Sequence, residues 1–593
     1  MQTTSMLISK FHLFLPRSLR DRRATPRSVI SSVILLLSLL GFQTAGYAQV
    51  KPDASTGAHG LAPILGYISS GWDTLTRTMT NCDTVVDPKL TEASVLYLPA
   101  HFPEPESVKE MEQRCHVKVQ ELPMTITGPG QVPTSISPPG LLYLEKSYVV
   151  PGGRFNEMYG WDSYFIVRGL VENGRVDLAR GMVDNFLFEI EHYGTILNAN
   201  RTYYLTRSQP PFLTSMILAV YQADKAASRA DRAWLQKGYE LASRDYEMWS
   251  REPHLAGETG LARYYDFGDG PTAESLKDET GYYRKVTDYF LRYGEARNYI
   301  VDRTGGKNKE GGTGSEYTVE VCDVRRTMAR PDCEPERRVS LTADYYKGDR
   351  AMRESGFDIS FRFKPYGAAT HHFAPVCLNS LLYKTEEDLR EISEILGRKE
   401  DAKRWEQRAQ ERKARIQKYL WDEQRGLFLD YNLDNATRSD YEYITAFYPL
   451  WAGLATPEQA RAVMKNLAVF EHAGGLAMSN RETGVQWDLP YGWAPTQLLA
   501  IEGMRRYGFN DDANRISYAF LGTILENFRR DGTIREKYNV VTRSSEAHVE
   551  LGYEMNVVGF GWTNAAFLEL LKGIPKEMVE RLEKEQSHAL PDK

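Results

Sequence analysis

Several things are scarce in this sequence, and each scarcity closes off a class of protein. Cysteine is one: Cys82, Cys115, Cys322, Cys333 and Cys377 are the five in 593 residues, and none sits at the short paired spacing of a zinc ribbon or finger. Surplus positive charge is another. The 73 Lys and Arg stand against 79 Asp and Glu, a formal net charge of −6 that suits neither nucleic acid nor an anionic membrane surface. No alternating polar and apolar series is long enough for a sandwich or barrel, and no fixed-period repeat argues for a solenoid. After the first 48 residues no apolar run approaches the roughly 20 residues of a membrane span. The stretch "GGKNKEGGTG" resembles a phosphate loop but lacks the Gly-Lys-Ser/Thr ending and a preceding apolar strand.

Residues 1–48 read as an export signal. Lys10, Arg17, Arg20, Arg22, Arg23 and Arg27 precede the run "VISSVILLLSLLGF", and small residues surround Ala48, where cleavage is expected. Removing the segment takes away six positive charges and one negative, which moves the net charge from −6 to −11. This predicts a periplasmic or secreted protein with no stable membrane span, in which disulfides can form. Cys82 with Cys115 and Cys322 with Cys333 are the pairings that would close short loops, which would leave Cys377, within "HHFAPVCLNSLL", as a buried free thiol; sequence alone does not fix the connectivity.

Residues 49 to about 70 are rich in Gly, Ala and Ser and predict a mobile start to the mature chain. Beyond them, helical patterns alternate with Gly- and Pro-punctuated loops. "LVENGRVDLARGMVDNFLFEIEHYG", "RAWLQKGYELASRDYEMWSRE", "DAKRWEQRAQERKARIQKYLW" and "FGWTNAAFLELLKGI" each repeat apolar residues at intervals of three and four. More than nine such segments predict an all-α toroid of paired helices with long loops at one end forming a pocket, as a single domain over 71–585. Residues 303–350 are expected to form a long loop excursion near that pocket.

The chemistry-bearing residues cluster in the loops. "PGGRFNEMYGWDSYF" carries Arg154, Glu157, Trp161 and Asp162; "LNANRTYYLTRSQPPF" carries Asn198, Arg207, Ser208 and Gln209; "ARYYDFGDGPTAES" carries Glu274. Later come "RESGFDISFRF" around Gly356 and Asp358, "GVQWDLPYGWAPTQ" with Trp487 and Asp488, "REKYNVV" around Glu536, and "GFGWTN". Carboxylates and guanidinium groups grip vicinal hydroxyls through paired hydrogen bonds while rings cover the apolar faces of a sugar, so the set predicts a pocket for a polyhydroxylated ligand. An isolated Trp-Asp pair is more often a core ring beside a helix cap, and an isolated Asp or Glu is more often a solvated or salt-bridged group.

Two of these segments, "PGGRFNEMYGWDSYF" and "QWDLPYGWAP", resemble the signature segments of the trehalases, glycoside hydrolase family thirty-seven. "NRTYYLTRSQPP", "ESGFD", "EKYNV" and "GFGWTN" follow in that family's order, so the resemblance spans about residues 75–575. It implies an (α/α)6 toroid and inverting hydrolysis of α,α-trehalose by a monomer without a cofactor, with Asp358 as general acid and Glu536 as general base. Burial of Asp358 between Phe357 and Ile359 would keep it protonated, and Arg535 and Lys537 would favour an ionised Glu536. The implied substrate contacts are Arg154, Trp161, Asp162, Asn198, Arg207, Ser208, Gln209, Glu274, Gly356 and Glu554.

Three positions depart from the family pattern. Thr272-Ala273-Glu274 replaces Arg-Pro-Glu, Phe357 replaces a Trp, and Tyr491 replaces an Asn. The first removes an arginine expected to clamp a sugar, which keeps open hydrolysis of another α-linked glucoside or a catalytically weak sugar-binding relative. His371 and His372 are adjacent and diverge on a regular helix or strand, and no ligand spacing accompanies them, so no metal is expected.

Overall fold

Helices of two kinds build the structure, and their burial separates them. The computed structural model describes residues 60–86, 94–133, 136–274, 281–293, 298–303, 317–321, 337–549 and 556–584. In chain order the helices that matter here are α1 (Ala62–Thr74), α2 (Gly160–Glu172), α3 (Val176–His192), α4 (Leu213–Ala226), α5 (Arg232–Trp249), α6 (Ala343–Glu354), α7 (Val376–Leu396), α8 (Lys399–Tyr419), α9 (Tyr448–Ala452), α10 (Pro457–Lys465), α11 (Ala494–Arg506), α12 (Asn510–Asp531) and α13 (Gly561–Gly573).

α2 is buried from Gly160 through Val167, and α13 from Gly561 through Leu568. A helix with no polar face must be surrounded by protein. α8 buries Ala402, Trp405, Ala409, Arg412 and Ile416, a stripe at intervals of three and four, and solvates the rest. The inner helices touch in sequence, α2 to α4, α4 to α7, α7 to α9, α9 to α11, α11 to α13, and α13 returns to α2. α3, α5, α8 and α12 pack outside the inner helix each follows, and α1 packs on α13. This closed ring of six with an outer layer is the (α/α)6 toroid that the family resemblance implies, and a toroid of paired helices is what the helical periodicities predict. Among the described residues no helix is long and apolar enough to cross a membrane.

The turns between inner and outer helices are chemically specified. α7 ends at Gly397, whose φ of +77° lets the chain reverse into α8. Thr456 and Gln459 form a capping box at the start of α10.

Two expectations about order along the chain need correction. Residues 62–70, expected within a mobile start, form the first turns of α1, because Ile64, Ile68 and Trp72 give them a face to bury. The 303–350 excursion is not a continuous loop. Strands β1 (Ile300–Asp302), β2 (Thr318–Val321) and β3 (Arg337–Leu341) form an antiparallel sheet with β3 in the middle. α6 then follows, capped by Thr342 and burying Tyr345, Tyr346, Asp349 and Met352. Under this sheet Tyr282, Tyr283, Phe290, Tyr345, Tyr346 and Tyr366 make a second core, so many of the aromatic residues serve packing. Residues 304–316 and 322–336, and with them Cys322 and Cys333, lie outside the described residues, as do 1–59 and Glu554. Cys82 and Cys115 are bonded, and Cys377 is a buried free thiol.

Candidate active site

The loops entering the inner helices converge on one indole. Trp161 lies in the first turn of α2, held there by the Gln209 side-chain oxygen, which accepts its backbone N–H at 2.8 Å. Its ring meets those of Phe357, Trp487 and Trp562 at centroid distances of 5.5, 5.9 and 5.7 Å. Gly356 runs directly over the indole: a Cβ there would lie 2.9 Å from Trp161 Cε2, and φ is +75°. Close approach and backbone conformation therefore both demand glycine.

The two surrounding indoles each tie down one carboxylate-bearing loop. Trp487 Nε1 donates to the backbone oxygen of Asp358 at 2.8 Å, joined by Gln486 Nε2 at 2.6 Å. Trp562 Nε1 donates to the backbone oxygen of Glu536 at 3.1 Å. Strands β4 (Tyr491–Trp493) and β5 (Lys537–Asn539) pair antiparallel, with Trp493 opposite Lys537, which joins the second signature segment to the Glu536 loop. Trp493 stacks on Trp487 at 3.8 Å with a 6° interplanar angle.

Asp162 sits one residue beyond the central indole. Burial pushes its carboxyl well above the usual range, and the nearby charges of Glu536 and Asp358 push it the same way. Asp162 is thus within electrostatic reach of both Glu536 and Asp358. Glu536 pairs with Lys537, Nζ to Oε2 3.1 Å, and that lysine is fully buried over the Trp493 ring. A buried ammonium needs an anionic partner, and Glu536 supplies it. Arg535, the other expected neighbour, turns away and donates to the Asn556 carbonyl at 3.1 Å.

A second group of charges flanks Asp358. Arg207 bonds Glu274, with Asp266 at 4.0 Å and the Tyr204 ring 4.8 Å from the guanidinium carbon. Arg353, at the end of α6, places Nη1 3.9 Å from Glu274 and 4.0 Å from the Asp358 carboxylate. Sequence reasoning missed Arg353, although it opens the "RESGFD" segment. It answers the missing arginine at Thr272: a guanidinium reaches Glu274 from a different element, while Thr272 is buried with its N–H on the Tyr283 hydroxyl at 2.8 Å. The setting of Asp358 also differs from a purely apolar one, since its side chain is 23% exposed and faces Arg353. Phe357 and Ile359 are buried and cover its flanks.

Other expected contacts hold the framework. The Ser208 hydroxyl donates to the Ile196 carbonyl at 2.7 Å. Asn198 is buried, and its backbone bridges Gly160 and Arg207. Glu157 pairs with Arg201, and Asp488 accepts from Ser479 and Thr483, so both brace loops. Tyr491 is buried in β4. Arg154 is exposed, its guanidinium 4.5 Å above the Phe155 ring.

Comparison with known proteins gives consistent matches. A family model described as trehalase matches residues 73–304 and 331–575. A cytosolic neutral trehalase of Saccharomyces cerevisiae is 37% identical over 560 residues, covering 84% of this chain and 70% of that protein. One from Emericella nidulans is 36% identical over 566 residues, covering 84% and 70%. The solved structure of neutral trehalase Nth1 from Saccharomyces cerevisiae superposes with a TM-score of 0.71 at 34% identity, covering 88% of this chain and 96% of that one. These relatives carry cytosolic names, which overturns the expectation of a signal peptide and of a periplasmic or secreted location.

Proposed function

The chain belongs to the trehalase family, and on that premise we propose how its own residues divide the work. It is a glycoside hydrolase that splits α,α-trehalose into two glucose molecules. Asp358 is the general acid, passing its proton to the glycosidic oxygen as the bond to the anomeric carbon breaks. Glu536 is the general base, taking a proton from the water that attacks that carbon from the opposite face, so configuration inverts. The observation that carries this reading is the convergence on Trp161: the indole bonded to the Asp358 backbone and the indole bonded to the Glu536 backbone both pack against it.

Arg207, Glu274 and Arg353 grip the hydroxyls of one sugar, and Arg353 also holds Asp358 in line. Trp161 and Asp162 line the other side, with Gln209, Ser208, Asn198 and Gly356 fixing the loops that present them. Arg154 reaches the sugar from the rim, and Glu554 is a further contact by motif position. Hydrolysis of this kind needs an acid, a base and water, and the catalytic unit works as a monomer over 71–585.

Glucose release from trehalose, maltose, kojibiose and nigerose tests the assignment, with the anomer of the first product followed by NMR. Asp358→Asn and Glu536→Gln should each lower kcat by about 10²–10⁴-fold in a folded protein. Either variant keeping wild-type kcat, or a first product of retained configuration, would remove the assignment.

A further inference from the structure

Far along α6 from Arg353, two histidines and a carboxylate meet. Asp344, in the first turn of α6, presents Oδ1 3.0 Å from His371 Nε2 and 3.0 Å from His372 Nε2. The three ligand atoms lie within 4.8 Å of one another. Adjacent histidines diverge on a regular strand or helix, but these close a single 3-10 turn, Thr370–His372, which brings their rings to 3.9 Å. The next residues pair with a hairpin, Phe373 opposite Asn432, and this sets Asp434 in the hairpin turn against the far side of His372, Nδ1 to Oδ1 2.9 Å.

We propose that Asp344, His371 and His372 form a binding site for one borderline divalent cation of the zinc type, with Asp434 as the carboxylate that orients His372. Tetrahedral zinc with bonds of about 2.0–2.2 Å needs ligand atoms about 3.3 Å apart, and both nitrogen-to-oxygen edges are already near that value. Asp434 supplies the second feature of such sites, a carboxylate on the other ring nitrogen that fixes the tautomer and leaves Nε2 unprotonated toward the ion. Nδ1 of His371 has no hydrogen-bond partner, so its ring donates Nε2–H to Asp344 and must move that proton to Nδ1 to offer Nε2 to the ion. The Asp344 side chain is 50% exposed, which leaves water access to complete the coordination. Nine residues along a helix put Asp344 about 14 Å from Arg353, so the ion stands apart from the chemistry. It joins the start of α6, the 3-10 turn and the hairpin, and thereby braces the helix that ends in Arg353.

The test uses the full chain, freed of metal by chelation and dialysis. Calorimetric titration with Zn²⁺ should show one site, and Co²⁺ should give visible absorption of a low-coordinate nitrogen and oxygen site, a readout that depends on no variant. Asp434→Asn should weaken zinc binding about 10–100-fold, and Asp344→Asn and His372→Ala should weaken it further. Equal zinc affinity in wild type and all three variants, or no binding by the wild type, would leave a hydrogen-bonded cluster only and overturn the site.

Discussion

Two buried arginines, Arg362 and Arg207, show how differently this fold uses the same side chain. Arg362 lies four residues after Asp358 and is saturated by protein. Its Nε and Nη2 bind both oxygens of Asp430 at 2.7 and 2.6 Å, Nη1 reaches the Cys377 sulfur at 3.4 Å, and the rings of Tyr443 and Phe363 lie 4.6 Å from the guanidinium carbon. Arg207 is as deeply buried, yet among the described residues its Nε and Nη1 find no hydrogen-bond acceptor. Buried donors are rarely left so. The first arginine is finished by the fold; the second keeps two donors that the proposed sugar contact would use.

The sharpest way to break that contrast is Arg362→Ala, which strands Asp430 in the core and should cost about 3–5 kcal/mol of stability, read from the denaturant midpoint. A loss below about 1 kcal/mol would mean the pair is not the strut described here.

Asp488 extends the comparison to a buried acid supported by hydroxyl groups. Burial raises its carboxyl to about 6, against partial relief from Thr483, Tyr441 and Ser479. The folded state therefore holds a proton that the unfolded state releases near pH 4, so stability falls as pH rises through the window from about 4 to 6. The change amounts to about 3 kcal/mol. Asp488→Asn should flatten the stability profile across that window, and an unchanged slope would count against the shift.

Arg207→Lys keeps the charge opposite Glu274 but removes the spare planar donors. It should lower kcat/KM for trehalose by about one to two orders of magnitude, or about 1.5–3 kcal/mol, with little change in melting temperature. The matched Arg362→Lys should show the reverse, a lower melting temperature with kcat/KM nearly kept. Smallest is Arg154→Ala: an exposed guanidinium resting on Phe155 should contribute less than about 1 kcal/mol to kcat/KM, and a larger loss would mean the rim closes over the substrate.

Much of this was legible in the chain. The helices were, because apolar residues at intervals of three and four can bury one face only as a helix, and the toroid follows from pairing many of them. Asp358 and Glu536 were nominated by motif alone, since nothing local separates either from a surface carboxylate. Arg353 was passed over because its importance arises from Glu274, 79 residues earlier in the chain and on another element. Lys537 was expected beside Glu536 from the sequence, and although neighbouring strand side chains alternate, its long, flexible stem carries the ammonium back to Glu536. The helix α6 escaped notice because its buried face is made of tyrosines, which a hydropathy pattern scores as half-polar.

By itself the sequence determined the helical architecture, the family and the segments that carry the chemistry, because periodicity and motif order are local and additive along a chain. Only the tertiary structure decided which charges meet. Whether an arginine is saturated or left with spare donors, and whether neighbouring histidines diverge or close on one aspartate, depends on segments 27 to 68 residues apart. Their distances are set by packing in three dimensions.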